Sequence, residues 1–70
     1  MLKEEYKQKR SELDDILIEM NVPKMLFHVP VELNLYIYQE KRFHPDAQKA
    51  FDLLYEISAE KLTRFHVNGE

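Results

Sequence analysis

Three histidines, a spaced row of acids and one His-Pro-Asp tripeptide are the groups in this chain whose types and spacing could do chemistry. His28, His44 and His66 lie far apart, with no His-x-x-x-His or Cys-x-x-Cys pair among them. Zinc needs three or four nitrogen or sulfur ligands brought together, usually as close pairs along the chain, so no metal centre is expected. Asp52, Glu56 and Glu60 recur at i, i+4 and i+8. On a helix they form a ridge of like charge, flanked by Lys49 and Arg64, which is either a solvated face or a docking ridge for a basic partner. Nucleophilic catalysis has little to use. The chain has no cysteine, its two serines, Ser11 and Ser58, lie in no nucleophile motif, and one glycine, Gly69, builds no phosphate loop. A chain this short also struggles to enclose the ~300 Å³ of an ordinary ligand pocket. The expectation is a non-enzyme with no catalytic residue and no cofactor. His44-Pro45-Asp46 then has a local reading as helix punctuation, with His44 near the cap, Pro45 at the first helical position and Asp46 facing the positive helix end.

The elements that would position these groups are helices. From Pro45 to Phe65, the residues Ala47, Ala50, Phe51, Leu54, Ile57, Leu62 and Phe65 make one apolar stripe, with Lys49, Asp52, Glu56, Glu60 and Thr63 opposite. That spacing predicts a long amphipathic helix over 45–65, followed by a tail at 66–70 with Asn68-Gly69 as its terminator. Leu2, Tyr6, Leu13, Ile16, Leu17 and Met20 predict a first helix over 2–20, interrupted at Lys9 and stopped by Asn21 and Pro23. Ser11-Glu12-Leu13-Asp14 resembles a capping box, so the basic run Lys3 to Arg10 could instead be an arm ahead of a shorter helix.

The middle of the chain has two readings. "MLFHV" at 25–29 suggests a short extended piece, and Pro30 suits the start of a helix over 30–42. Yet Val31, Leu33, Leu35 and Ile37 alternate with Glu32, Asn34, Tyr36 and Tyr38, which is a strand pattern. A lone strand in a helical chain has no partner, which favours the helix. Wound as a helix, 30–42 is apolar on two sides. Leu33, Tyr36 and Ile37 form one; Val31, Leu35, Tyr38 and the stem of Arg42 form the other. One small core covers one side. The second, with its tyrosine and arginine, is the expected partner-binding face.

Two family resemblances attach to these stretches. His44-Pro45-Asp46, preceded by Arg42 and Phe43 and with Tyr36 eight residues before the histidine, resembles the working motif of J-domain co-chaperones. It implies engagement of a heat-shock chaperone ATPase through the tripeptide and a basic helix. Gln39-Glu40 depart from that family's apolar positions, and "AQKAFDLL" follows with no exposed loop. "MLFHVPVEL" resembles the ribbon-helix-helix repressors, in which two strands pair across a dimer and read the DNA major groove. That resemblance implies an α+β dimer with Lys24, Leu26 and His28 facing DNA, assisted by Lys3 to Arg10.

Composition bounds the choice. Seventy residues with no cysteine cannot be stapled by disulfides. A chain of this length buries only about 60% of its unfolded surface, so a partner or a second copy is the remaining source of stability. The net charge of −3 disfavours a globally basic nucleic-acid binder. The longest apolar run, Leu35 to Tyr38, is four residues, far below the ~20 of a membrane span, and the start lacks a signal-peptide core. The cytoplasm is therefore the expected location. The reading that follows is a mainly α, three-helix domain with a long C-terminal amphipathic helix. It acts as a protein-binding adaptor, inhibitor or regulator through Val31, Leu35, Tyr38 and Arg42, with a homodimer as a further form of association.

Overall fold

The computed structural model describes residues 2–59 and 62–67. Among them are three α-helices and no strand: α1 (Lys3–Glu19), α2 (Pro30–Tyr36) and α3 (Ala47–Ile57). A 3₁₀ turn (Lys24–Leu26) precedes α2, and a π turn (Ile37–Lys41) continues it. No described helix is long and apolar enough to cross a membrane. The mainly helical class expected from the sequence is the one observed. Glu60 and the Asn68-Gly69 terminator lie outside the described residues.

α1 is one helix, without a second start at Ser11. Four of its charged residues, Lys9, Arg10, Glu12 and Asp14, are ion-paired. Arg10 donates to the Asp14 carboxylate at 2.7 and 3.1 Å and to the Phe27 carbonyl at 2.7 Å, which neutralises one of the acids late in the helix. Leu13, Leu17 and Met20 are buried as the stripe predicts, whereas Leu2 and Tyr6 at the other end stay exposed. The helix closes at Asn21, whose φ is +59°. Asparagine tolerates this left-handed conformation better than most residues. It lets the Asn21 N–H donate to the Ile18 carbonyl at 3.0 Å and the Val22 N–H to the Leu17 carbonyl at 3.0 Å. This is the Schellman pattern, and its usual apolar contact fits the burial of both Val22 and Leu17.

The extended piece expected at 25–29 is not there. Leu26 N–H donates to the Pro23 carbonyl, Phe27 N–H to Lys24 and Val29 N–H to Leu26, at 3.0–3.1 Å. With no neighbouring strand, the backbone satisfies its own groups by i→i+3 bonds, which is the 3₁₀ solution. Phe27 is buried and Met25 exposed. The α+β alternative, with a strand paired across a dimer, loses the strand on which it was built.

Pro30 opens α2, and the Leu33 N–H donates to the Val29 carbonyl at 2.8 Å. The apparent period-two alternation resolves into two i,i+4 pairs. Leu33 and Ile37 are fully buried, while Val31 and Leu35 are exposed. The strand reading mistook two sides of one helix for two faces of a sheet.

α3 carries Ala47, Ala50, Phe51, Leu53 and Leu54 into the core. It is shorter than expected. The backbone leaves the helix at Ser58 (φ −74°, ψ 136°) rather than continuing to residue 65. A continued helix would carry Phe65 about 12 Å beyond Ile57, at 1.5 Å per residue, away from the core. Instead residues 62–67 run without helix and bring Leu62, Phe65 and Val67 against the core cluster. The stripe thus named the right core residues but assigned two of them, Leu62 and Phe65, to the wrong element.

Two ion pairs link α1 to α3. Lys9 donates to Glu56, and Lys49 to Glu12 at 2.7 Å. Their order, 9 with 56 and 12 with 49, is that of antiparallel helices. Each lysine is raised above its ordinary 10.5, chiefly by the hydrogen bond to its carboxylate. A raised ammonium pKa adds stability that is fully present below the unfolded value and is lost as pH rises through the folded one. The melting temperature is therefore expected to fall as pH climbs above 10.5. A Lys9→Met, Lys49→Met double variant should lose part of that slope in paired thermal melts. Equal slopes would mean that the pairs contribute nothing to folding.

Candidate functional site

The outer side of α2 and of the turns that follow it carries the four residues expected to meet a partner, and the structure divides them. Val31 and Leu35 are 47% and 46% exposed, side by side one turn apart. Arg42 is exposed, with its guanidinium 5.2 Å from the Tyr38 ring centre and 5.0 Å from that of Phe43. Phe43 itself is 86% exposed. Tyr38 is not free. Its ring stacks on Phe65 at 4.2 Å between centres, with 21° between planes. Part of the face expected to meet a partner is therefore already covered by the chain's own C-terminal segment.

That segment is held by side chains from two helices. From α2, Asn34 is almost fully buried, and its Nδ2 donates to the Thr63 carbonyl at 2.9 Å. From α3, the Gln48 Oε1 accepts from the Val67 N–H at 3.1 Å, and its Nε2 donates to the Phe65 carbonyl at 3.5 Å. One amide thus bonds the carbonyl of residue 65 and the N–H of residue 67. A residue in a neighbouring parallel strand would bond its partner in the same way. Arg64 Nη2 donates to Asp52 at 3.1 Å, and its guanidinium lies 5.2 Å from the Tyr55 ring centre. Phe65 also meets Phe51 at 5.6 Å and a 59° tilt, a favourable aromatic geometry. Beside the segment, Val31, Asn34, Leu35, Leu62, Thr63 and Phe65 line an open groove of ≈ 260 Å³.

The other groups singled out in the sequence are engaged elsewhere. The His44 Nδ1 accepts from the Asp46 N–H at 3.1 Å. The imidazole thereby fixes the turn into α3, which starts at Ala47, two residues after Pro45. Within the acidic row, Asp52 accepts from Arg64 and Gln48, and Glu56 from Lys9. Lys49 turns to Glu12 and away from the row. A second hollow, of ≈ 230 Å³, is lined in part by Tyr6, Arg10 and His28. Arg10 is turned there to Asp14 and the Phe27 carbonyl. Among the described residues, no group of three or more His, Cys, Asp or Glu converges as metal ligands would.

Sequence reasoning missed the parts played by Asn34, Gln48, Thr63 and Phe65. A signal for the last existed. Phe65 and Val67 alternate with Arg64 and His66, a period-two pattern that spans the expected helix end at residue 65. No protein-family model, curated protein or solved structure matches this chain.

Proposed function

We propose that this protein is a small protein-binding module, a regulator or adaptor without enzymatic activity, which docks its partner on the outer side of α2 and the adjoining groove. The observation that carries this reading is the pair Val31 and Leu35. Two branched aliphatic side chains sit about half exposed along a groove of mixed polarity, lined also by Asn34, Leu62, Thr63 and Phe65. Neither side chain is needed by the core, which takes Leu33 from α2 and Ile37 from the π turn, both at zero exposure. Arg42, with Tyr38 and Phe43, adds a cation and aromatic surface at one end, of the types enriched where binding energy concentrates.

The test is the double substitution Val31→Glu, Leu35→Glu. Far-UV circular dichroism should stay at the parent value, because both side chains already meet water. Partner capture, compared by photo-cross-linking in native lysate, should drop by roughly thirtyfold or more, the effect of losing one residue worth ~2 kcal/mol at an interface. If the variant unfolds, the two residues serve the core and the reading is wrong. If it stays folded and captures as the parent does, the interface lies elsewhere.

A further inference from the structure

The C-terminal segment is held in the manner of a bound peptide. Asn34 and Gln48 grip its main chain, an interaction that reads no side chain. Two further contacts do read side chains. An aromatic ring at residue 65 fits between Tyr38 and Phe51, and a cation at residue 64 reaches Asp52 and the Tyr55 face. Exposure alternates to match. Phe65 and Val67 are partly buried, while Arg64 and His66 are exposed. The segment leaves part of its surroundings unfilled, since the groove beside it remains open along Val31 and Leu35.

We propose that α2 and α3 form a receptor for a linear peptide of a partner protein carrying a basic residue followed directly by an aromatic one, and that residues 62–67 are a built-in competitor for it. This deepens the docking reading above and rests on it. The occupant's chemistry follows from the contacts that a displacing peptide would inherit. Its main chain takes the amides of Asn34 and Gln48. Its aromatic ring stacks on Tyr38, and its cation pairs with Asp52. Residues flanking this pair can then cover Val31 and Leu35, which the chain's own segment leaves exposed. A tethered competitor acts at an effective concentration on the order of millimolar. The intact protein therefore binds such a peptide weakly until the competitor is weakened or outmatched.

The experiment titrates the full chain against a fluorescent, end-blocked peptide Leu-Thr-Arg-Phe-His-Val and follows anisotropy. Arg64→Glu sets a carboxylate against Asp52 and weakens the competitor without removing Phe65 from its aromatic neighbours. This variant should bind the peptide at least about tenfold more tightly than the parent. Phe65→Ala should do the same wherever circular dichroism shows it folded. Adding Gln48→Ala to Arg64→Glu should lose the gain, and a peptide with alanine for phenylalanine should bind neither protein. No gain in Arg64→Glu, or equal binding of the alanine peptide, overturns the proposal. Partner capture that depends on Val31 and Leu35, with no binding of this peptide to any variant, would leave the docking face standing and remove the peptide receptor. Absence of both removes both.

Discussion

Replacing Phe51 with alanine should destabilise the fold more than any exposed substitution, by about 3–5 kcal/mol. Phe51 is 2% exposed and is among the largest fully enclosed side chains of the protein. Truncating a buried phenylalanine costs about 3–5 kcal/mol, through lost transfer free energy and the cavity left behind. At roughly 0.05–0.15 kcal/mol per residue, a chain of this length holds on the order of 4–10 kcal/mol in total. The substitution thus removes between a third and all of it. The effect reaches past α3, because Phe51 supports Phe65, which in turn stacks on Tyr38. The C-terminal segment should loosen together with the core. Thermal melts should show a midpoint lowered by more than about 12 °C, at ~4 °C per kcal/mol for a domain of this size. Leu35→Ala, on the exposed side of α2, should change it by only a degree or two. A Phe51→Ala protein melting within a few degrees of the parent would contradict the packing described.

What the sequence shows of this fold, and what it hides, follows from the range of the interactions. The start of α2 at Pro30 and the stop of α1 at Asn21 are local. A ring that fixes φ and a side chain that tolerates the left-handed region act within one turn, and both could be read directly. The buried sides of α1 and α3 were legible for a related reason. Leu13, Leu17, Ala50, Phe51 and Leu54 repeat at the helical period, whatever covers them. Leu53 was not, because it lies off that stripe and is buried only when α3 is covered on more than one side. The end of α3 was hidden more thoroughly. Leu62 and Phe65 continue the helical stripe in register, and the alternation at 64–67 comes too late to mark the break at Ser58. That choice depends on Tyr38 and Gln48, which meet the segment only after folding. The candidate site shared this limit. Val31 and Leu35 were found because two apolar sides on one short helix exceed what a small core covers. Tyr38 was read as part of the same side, yet it is covered by a residue 27 positions away. His44-Pro45-Asp46 is local too, as its reading as helix punctuation expects: the His44 ring accepts the Asp46 N–H just ahead of α3.

The second large effect concerns Asn34, whose substitution by aspartate should add a pH dependence of stability between acid and neutral pH. Asn34 is 5% exposed and donates to the Thr63 carbonyl at 2.9 Å. The shapes of asparagine and aspartate are nearly equal, so packing is kept and only the donor is lost. At neutral pH the substitution sets a carboxylate oxygen against a carbonyl oxygen in a nearly dry site. Leaving such a group unsatisfied costs about 1–3 kcal/mol, and more when it is charged. Burial and the missing donor both disfavour the charged form, so the new carboxyl titrates above the usual ~4 in the folded state. The folded state then binds the proton more tightly than the unfolded chain does. Stability relative to the parent is therefore highest below about pH 4, where the neutral acid can donate O–H to the Thr63 carbonyl, and falls as pH rises toward the raised folded value. Melts of Asn34→Asp and parent at matched pH should differ little near pH 3.5 and by at least about 4 °C at pH 7, the shift expected for ~1 kcal/mol. The near-ultraviolet signal of Tyr38 should change over the same interval as the segment carrying Thr63 and Phe65 is released. A difference between the two proteins that is constant with pH would show that the Asn34–Thr63 bond does not hold the segment in place. A displacing peptide would need the same Asn34 donor, so the variant should bind the Leu-Thr-Arg-Phe-His-Val peptide no more tightly at pH 7 than the parent does, although its own segment is released.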